Sequence, residues 1–173
     1  MIILNIIIII LLASISYQDI KHREINWLLF PLLVIAFVIQ ACLRYPIIVY
    51  LRTCGINISL LIVQICLLTF YYLLKGRNFK SIINTSLGLG DLILLISMSF
   101  AFTTVNYILF YLTSLIFSLI TWTFLKSFTL KNSKLIPLAG LISIYTIIII
   151  IVDILSHHFD RLNDNYLIQL IYG

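Results

Sequence analysis

Residues Leu87 to Leu125 read LGLGDLILLISMSFAFTTVNYILFYLTSLIFSLITWTFL, and Asp91 is the only charged residue among them. The run is too long for one bilayer-crossing helix, which takes about 20 apolar residues and tolerates roughly 17. Its natural break is Thr103-Thr104-Val105-Asn106, where small polar side chains can satisfy a tight turn. Two membrane helices therefore fit, Leu92–Thr104 and Tyr107–Leu125, the first starting beside Asp91. Working outward, the same criterion marks Met1–Tyr17, Trp27–Leu43 and Ile56–Leu74 before this stretch, and Leu135–Val152 after it. The expectation is an all-α fold, a polytopic membrane helical bundle of about six transmembrane helices, with residues 1–173 forming a single membrane-embedded domain. Met1–Leu12 has no basic residue before it and so lacks the start of a cleaved signal peptide; it is expected to stay as the first span.

Composition agrees. Hydrophobic residues make up 62% of the chain and charged residues 10%, against about 25% charged in a soluble domain. The formal net charge of +5 is spread through short loops and forms no patch, so nucleic acid is not an expected partner; the lipid bilayer is. Basic residues flanking apolar spans more often set orientation. The first, third and fifth loops carry Lys21, Arg23, Lys75, Arg77, Lys80, Lys126, Lys131 and Lys134, whereas the other loops and the tail carry Arg44, Arg52 and Arg161. This bias expects the odd loops in the cytoplasm and both termini outward, with the polar tail after Val152 lying on the outer surface.

In that topology Asp19 ends the first span and Asp91 begins the fourth, so both reach the cytoplasmic edge. Acids are rare here: the others are Glu24, Asp153, Asp160 and Asp164. An ionised carboxylate against hydrocarbon costs roughly 2.5–3.5 kcal/mol on insertion scales, which makes an acid at this depth a functional candidate. Two carboxylates a few ångströms apart share a proton, so one can draw a proton from water while the other polarises a carbonyl. Gly88 and Gly90, lacking a Cβ, could let a substrate backbone approach or could simply turn the chain into the fourth span.

Tyr17-Gln18-Asp19-Ile20-Lys21-His22-Arg23-Glu24-Ile25-Asn26 resembles the first active-site segment of type IV prepilin peptidases, in which an aspartate after the first core span precedes a basic stretch and Ile-Pro-Asn. Gly88-Leu89-Gly90-Asp91 is similar to the second, the GxGD motif, and Ile136-Pro137-Leu138-Ala139-Gly140 to the proline-glycine segment that opens the last span. The resemblance implies that Asp19 and Asp91 are catalytic in an aspartic-type endopeptidase. It further implies a substrate that is a pilin-like precursor, cut between a basic leader and an apolar helix at the cytoplasmic face, with no metal or organic cofactor. Here Ile25 runs directly into Asn26, Ile93 stands where the family often has lysine, and the paired-cysteine domain linked to N-methylation is absent, which implies a short, peptidase-only form. The alternative from another class is a small proton- or ion-coupled transporter using Asp19 and Asp91. Repeated halves and mid-span acids would mark it.

The remaining chemistry-bearing residues read more plainly. Cys42, Cys54 and Cys66 contain no CxxC pair and are expected to pack as small apolar groups, with a Cys42–Cys54 disulfide as the less favoured alternative. His157 and His158 with Asp153 and Asp160 could hold a metal, but a surface cluster is the preferred reading. His22 is expected in solvent, and Tyr17 and Trp27 as interfacial anchors.

Overall fold

The computed structural model describes residues 2–75, 88–128, 136–155 and 160–164. Among them the chain forms helices and no strand: α1 (Ile2–His22), α2 (Leu29–Cys42), α3 (Ile47–Leu74), α4 (Leu89–Met98), α5 (Thr104–Phe128) and α6 (Leu138–Leu155). In hydrocarbon a backbone must satisfy its own polar groups, and a helix does so within one segment, which is why apolar runs rich in isoleucine become helical here. α1, α3, α5 and α6 are long and apolar enough to cross a membrane, whereas α2 and α4 are shorter apolar helices. The expected all-α bundle of about six helices is present, and four of the six described helices are long and apolar enough to cross a membrane.

Proline sets where the helices start. Pro46 and Pro137 immediately precede α3 and α6, and their carbonyls accept the first helical bonds, from Tyr50 at 3.2 Å and Leu141 at 3.2 Å. Pro31 falls in the first turn of α2. In all three places the missing N–H is one that a helix start would leave unpaired anyway. α3 consequently begins at Ile47, earlier than the expected Ile56, and takes in Arg52.

α4 ends at Met98, and residues 99–102 turn before α5 begins at Thr104. The freed carbonyls are taken up by α3. Asn57, fully buried, donates its Nδ2 to Ser99 O at 3.0 Å and Phe102 O at 2.9 Å, and Tyr50 donates its hydroxyl to Phe100 O at 2.8 Å. An unsatisfied carbonyl in an apolar setting costs several kcal/mol, so these two side chains are what allow the helix to stop inside the bundle.

The core is built chiefly on α1, α2, α4 and α6, with Leu61 of α3 and Tyr107 and Phe110 of α5 packed into it. Ile8, Leu12 and Ile15 form one stripe of α1 against Leu33 and Phe37 of α2, Leu94 and Met98 of α4, and Ile142 and Ile150 of α6. α1 and α6 make the most extensive helix pair. Outward faces carry isoleucine, leucine and valine, as lipid-facing surfaces do.

The bundle has two polar ends. Asp19 and Asp91 lie at one. Asn5, Gln40, Asp153 and Arg161 meet at the other, about 21 Å away along α1 at 1.5 Å per residue. Of the polar tail the structure describes residues 160–164, and Arg161 among them is packed into the bundle end, 1% exposed. Its Nε lies 3.5 Å from Asp153 Oδ2, its Nη2 donates to Gln40 Oε1 and to Asn5 Oδ1, and the guanidinium sits over the Phe37 ring. Burial pulls its pKa down to about 10, with Asp153 opposing the shift, so it stays charged at neutral pH. Around it, Asp164 accepts from the Val105 and Asn106 amides that open α5, Asn106 Nδ2 donates to the carbonyls of Asp160, Arg161 and Asn163, and Arg44 pairs with Asp160 at 3.0 Å. The polar side chains of residues 160–164 thus cap α5 and fill the end of the bundle. Asp153 and Asp160 are engaged by arginines, while His157 and His158 lie outside the described residues.

Arg161→Ala, which strands a buried carboxylate, should lower stability by about 3–5 kcal/mol, measured by reversible unfolding in mixed micelles. Arg161→Met combined with Asp153→Leu should recover a large part of that loss, because it removes both charges together.

Candidate active site

At the aspartate end α1 is stopped by Arg23, whose φ of 57° lies in the left-handed region. Its N–H donates to Gln18 O at 3.2 Å and Asp19 O at 3.1 Å, the arrangement usually completed by glycine. A side chain there costs roughly 1–2 kcal/mol, so the surrounding contacts must hold it. They do. The Asn26 N–H donates to Gln18 Oε1 at 2.8 Å, and the Asn26 side chain accepts from the Leu28 N–H at 3.2 Å, which folds the α1–α2 connection back on the last turn of α1.

α4 enters from Gly88, which is extended and offers no capping side chain, and places Asp91 in its first turn. α6 enters from Pro137 with Leu138, Ala139 and Gly140 opening its first turn. These three helix ends converge. Asp91 Oδ1 accepts from the Ala139 N–H at 2.7 Å, and Asp19 Oδ2 accepts from the Gly140 N–H at 2.6 Å. Consecutive amides of one helix N-terminus therefore hold carboxylates from two other helices. Those amides have no partner within their own helix and lie at its positive end, where a negative group is favoured. Hydrogen bonds to a charged acceptor contribute about 1.5–3 kcal/mol each.

Asp91 lies in the field of Asp19, and Arg23 places positive charge near Asp19. Asp19 is 8% exposed and Asp91 partly buried, so the pair is screened from bulk water without being sealed.

Gly140 is required by the close approach of α1. A Cβ there would stand 3.0 Å from Ile20 Cγ1, 3.1 Å from Asp19 Oδ2 and 3.3 Å from Asp19 Cβ. The space beside Gly88 and Gly90 is likewise taken from within the chain: by the Asp91 carboxylate, 3.1 Å from a Cβ at Gly88, and by Ile25, 3.2 Å from one at Gly90.

The other expected residues stand apart from the pair. His22 and Trp27 are exposed, and Lys21 donates to the Tyr17 hydroxyl at 2.6 Å on the outer face of α1. An open groove of about 590 Å³ runs between α1 and α6 along Ser16, Ile20, Ile144 and Ile147, but neither carboxylate lines it. All three cysteines are free, so Cys42 and Cys54 form no bridge. Among the described residues no group of three His, Cys, Asp or Glu is placed to hold a metal.

Sequence reading singled out the two aspartates and the Pro137–Gly140 segment but not the Ala139 and Gly140 amides as their partners. A backbone donor carries no residue-type signature, and the only clue was a proline-started helix at the same depth. No family model, curated protein or solved structure matches this chain.

Gly140→Ala should force α1 and α6 apart and cost about 1–3 kcal/mol, as overpacking does, read as a lowered unfolding midpoint. Ala139→Ser, which leaves the backbone donor to Asp91 in place, should be much milder.

Proposed function

We propose that the chain is a membrane aspartyl endopeptidase of the short prepilin-peptidase type, which removes the basic leader from pilin-like precursors at the cytoplasmic face of the cell membrane. The observation that carries this reading is the pairing of Asp19 and Asp91 on the adjacent Ala139 and Gly140 amides. Both motifs of the resemblance, and its proline-glycine segment, meet at that one point.

The chemistry follows from a pair that holds one proton. The ionised carboxylate takes a proton from water as the water oxygen attacks the scissile carbonyl carbon. The protonated carboxyl gives its proton to the carbonyl oxygen, which produces a neutral gem-diol. The carboxyl that took the water proton then gives it to the amide nitrogen, the C–N bond breaks to release the new amine, and one diol hydroxyl gives its proton to the pair as its oxygen re-forms the carbonyl of the carboxyl product, which restores the single proton. The Gly140 amide occupies Oδ2 of Asp19 and leaves Oδ1 for water or substrate among the described residues.

Orientation rests on charge. Lys21 and Arg23 come within four residues after Asp19 and Lys75 follows α3 at the same end, a positive-inside bias that supports a pair facing the cytoplasm and termini facing outward. A coupled-transport reading meets an obstacle in the layer between the two polar ends. Ile8, Leu12, Ile15, Leu94, Met98 and Ile142 are all at 0% exposure there, and the buried polar side chains among them, Ser97, Ser143 and Thr146, are uncharged.

Asp19→Asn and Asp91→Asn should each abolish cleavage of a pilin-like precursor by membranes containing the protein, read as a loss of the mobility shift. Since the pair acts as one unit, the double variant should be no worse than either single one. Near-normal cleavage by either single variant would sink the dyad assignment.

A further inference from the structure

The amides of α6 hold the two carboxylates, but two flexible hydrogen bonds do not by themselves fix how far apart α1 and α4 stand. One further contact joins these helices beside the pair. Ile25, in the α1–α2 connection, sits against Gly90, the residue immediately before Asp91. A Cβ on Gly90 would lie 3.2 Å from Ile25 Cδ1 and 3.9 Å from its Cγ1. A methyl there would be tighter than an ordinary packing contact, so Ile25 and the first turn of α4 would have to part by a few tenths of an ångström.

Ile25 is itself fixed. On one side Arg23 ends α1 in the left-handed conformation, with bonds to Gln18 O and Asp19 O. On the other, Asn26 is tied by its N–H to Gln18 Oε1 at 2.8 Å, and Gln18 adjoins Asp19. A short path of contacts therefore runs from the turn that carries Asp19, through Gln18, Asn26 and Ile25, to Gly90 and the turn that carries Asp91. The connection folds back on its own helix through the Asn26–Gln18 bond.

We propose that Ile25 is a positioning residue: seated on Gly90 and held through Asn26 by Gln18, it sets the separation of the Asp19 and Asp91 carboxylates. Its side chain touches neither reacting group. It acts through α4, whose first turn it spaces from α1, and the role deepens the peptidase reading, on which its activity readout rests. Catalytic pairs are sensitive to such spacing, because a misplacement of about 1 Å can cost on the order of 100-fold in rate.

The test is a compensation experiment. Gly90→Ala should reduce precursor cleavage about tenfold or more through kcat, while its unfolding midpoint stays well above the assay temperature. Adding Ile25→Val, which deletes the Cδ1 atom nearest the new methyl, should restore most of the rate, although Ile25→Val alone should lower it. Gln18→Ala should also reduce cleavage, whereas Gln18→Glu, which keeps an acceptor oxygen for the Asn26 N–H, should retain it. Wild-type cleavage by Gly90→Ala, or no recovery on adding Ile25→Val, would overturn the proposal. A second readout does not need activity. In a background without native cysteines, a pair made by Asp19→Cys and Asp91→Cys is cross-linked with a short bifunctional thiol reagent. The yield should fall with Gly90→Ala and recover with Ile25→Val, and a yield indifferent to both changes counts against the spacer. Absence of cleavage by the unmodified chain would refute the peptidase reading alone, and the cross-linking result would then decide the spacer.

Discussion

The first turn of α6 presents backbone amides that its own helix cannot satisfy, and the rest of the aspartate end is arranged around them. In water such donors would be solvated. Inside an apolar bundle they must find acceptors, and an acceptor carrying negative charge is favoured at the positive end of a helix. The acceptors come from Asp19 and Asp91. The same contact answers the opposite difficulty, since a carboxylate beside hydrocarbon is costly until something donates to it. Each group removes the other's penalty, and α1, α4 and α6 are joined as a consequence.

Small residues make that junction possible. Gly140 lets α1 approach until Asp19 reaches the amide, Gly88 leaves space for the Asp91 carboxylate, and Gly90 admits Ile25. The opposite end of the bundle is organised on a different principle, a buried arginine surrounded by Asp153, Gln40 and Asn5. Between the two lies a layer of fully buried aliphatic side chains. The molecule thus has two polar ends serving different purposes: one leaves a pair of carboxylates beside a loop, and the other locks residues 160–164 against α5 and α6.

Much of this was legible from residue order. Apolar length and a sparse, one-sided set of lysines and arginines located the helices and brought Asp19 and Asp91 to one depth. What was not legible depended on contacts between residues distant in the chain. The early end of α4 is stabilised by Asn57 and Tyr50 of α3, so no local pattern near Met98 signals it. Arg161 reads as a surface charge in a polar tail because its partners, Asn5 and Gln40, belong to α1 and α2. The amides of Ala139 and Gly140 were invisible for a simpler reason: every residue but proline has one, and only the start of a helix leaves it free.

The meeting of the two aspartates on those amides is most directly tested by nuclear magnetic resonance, without any substrate. The chain would be labelled with nitrogen-15 at alanine and glycine in detergent micelles, and the Ala139 and Gly140 amide resonances followed. Asp91→Asn should displace the Ala139 resonance most strongly, and Asp19→Asn that of Gly140, because each loses a charged acceptor at about 2.7 and 2.6 Å respectively. Amides that stay in place in both variants would mean that the carboxylates do not meet on α6.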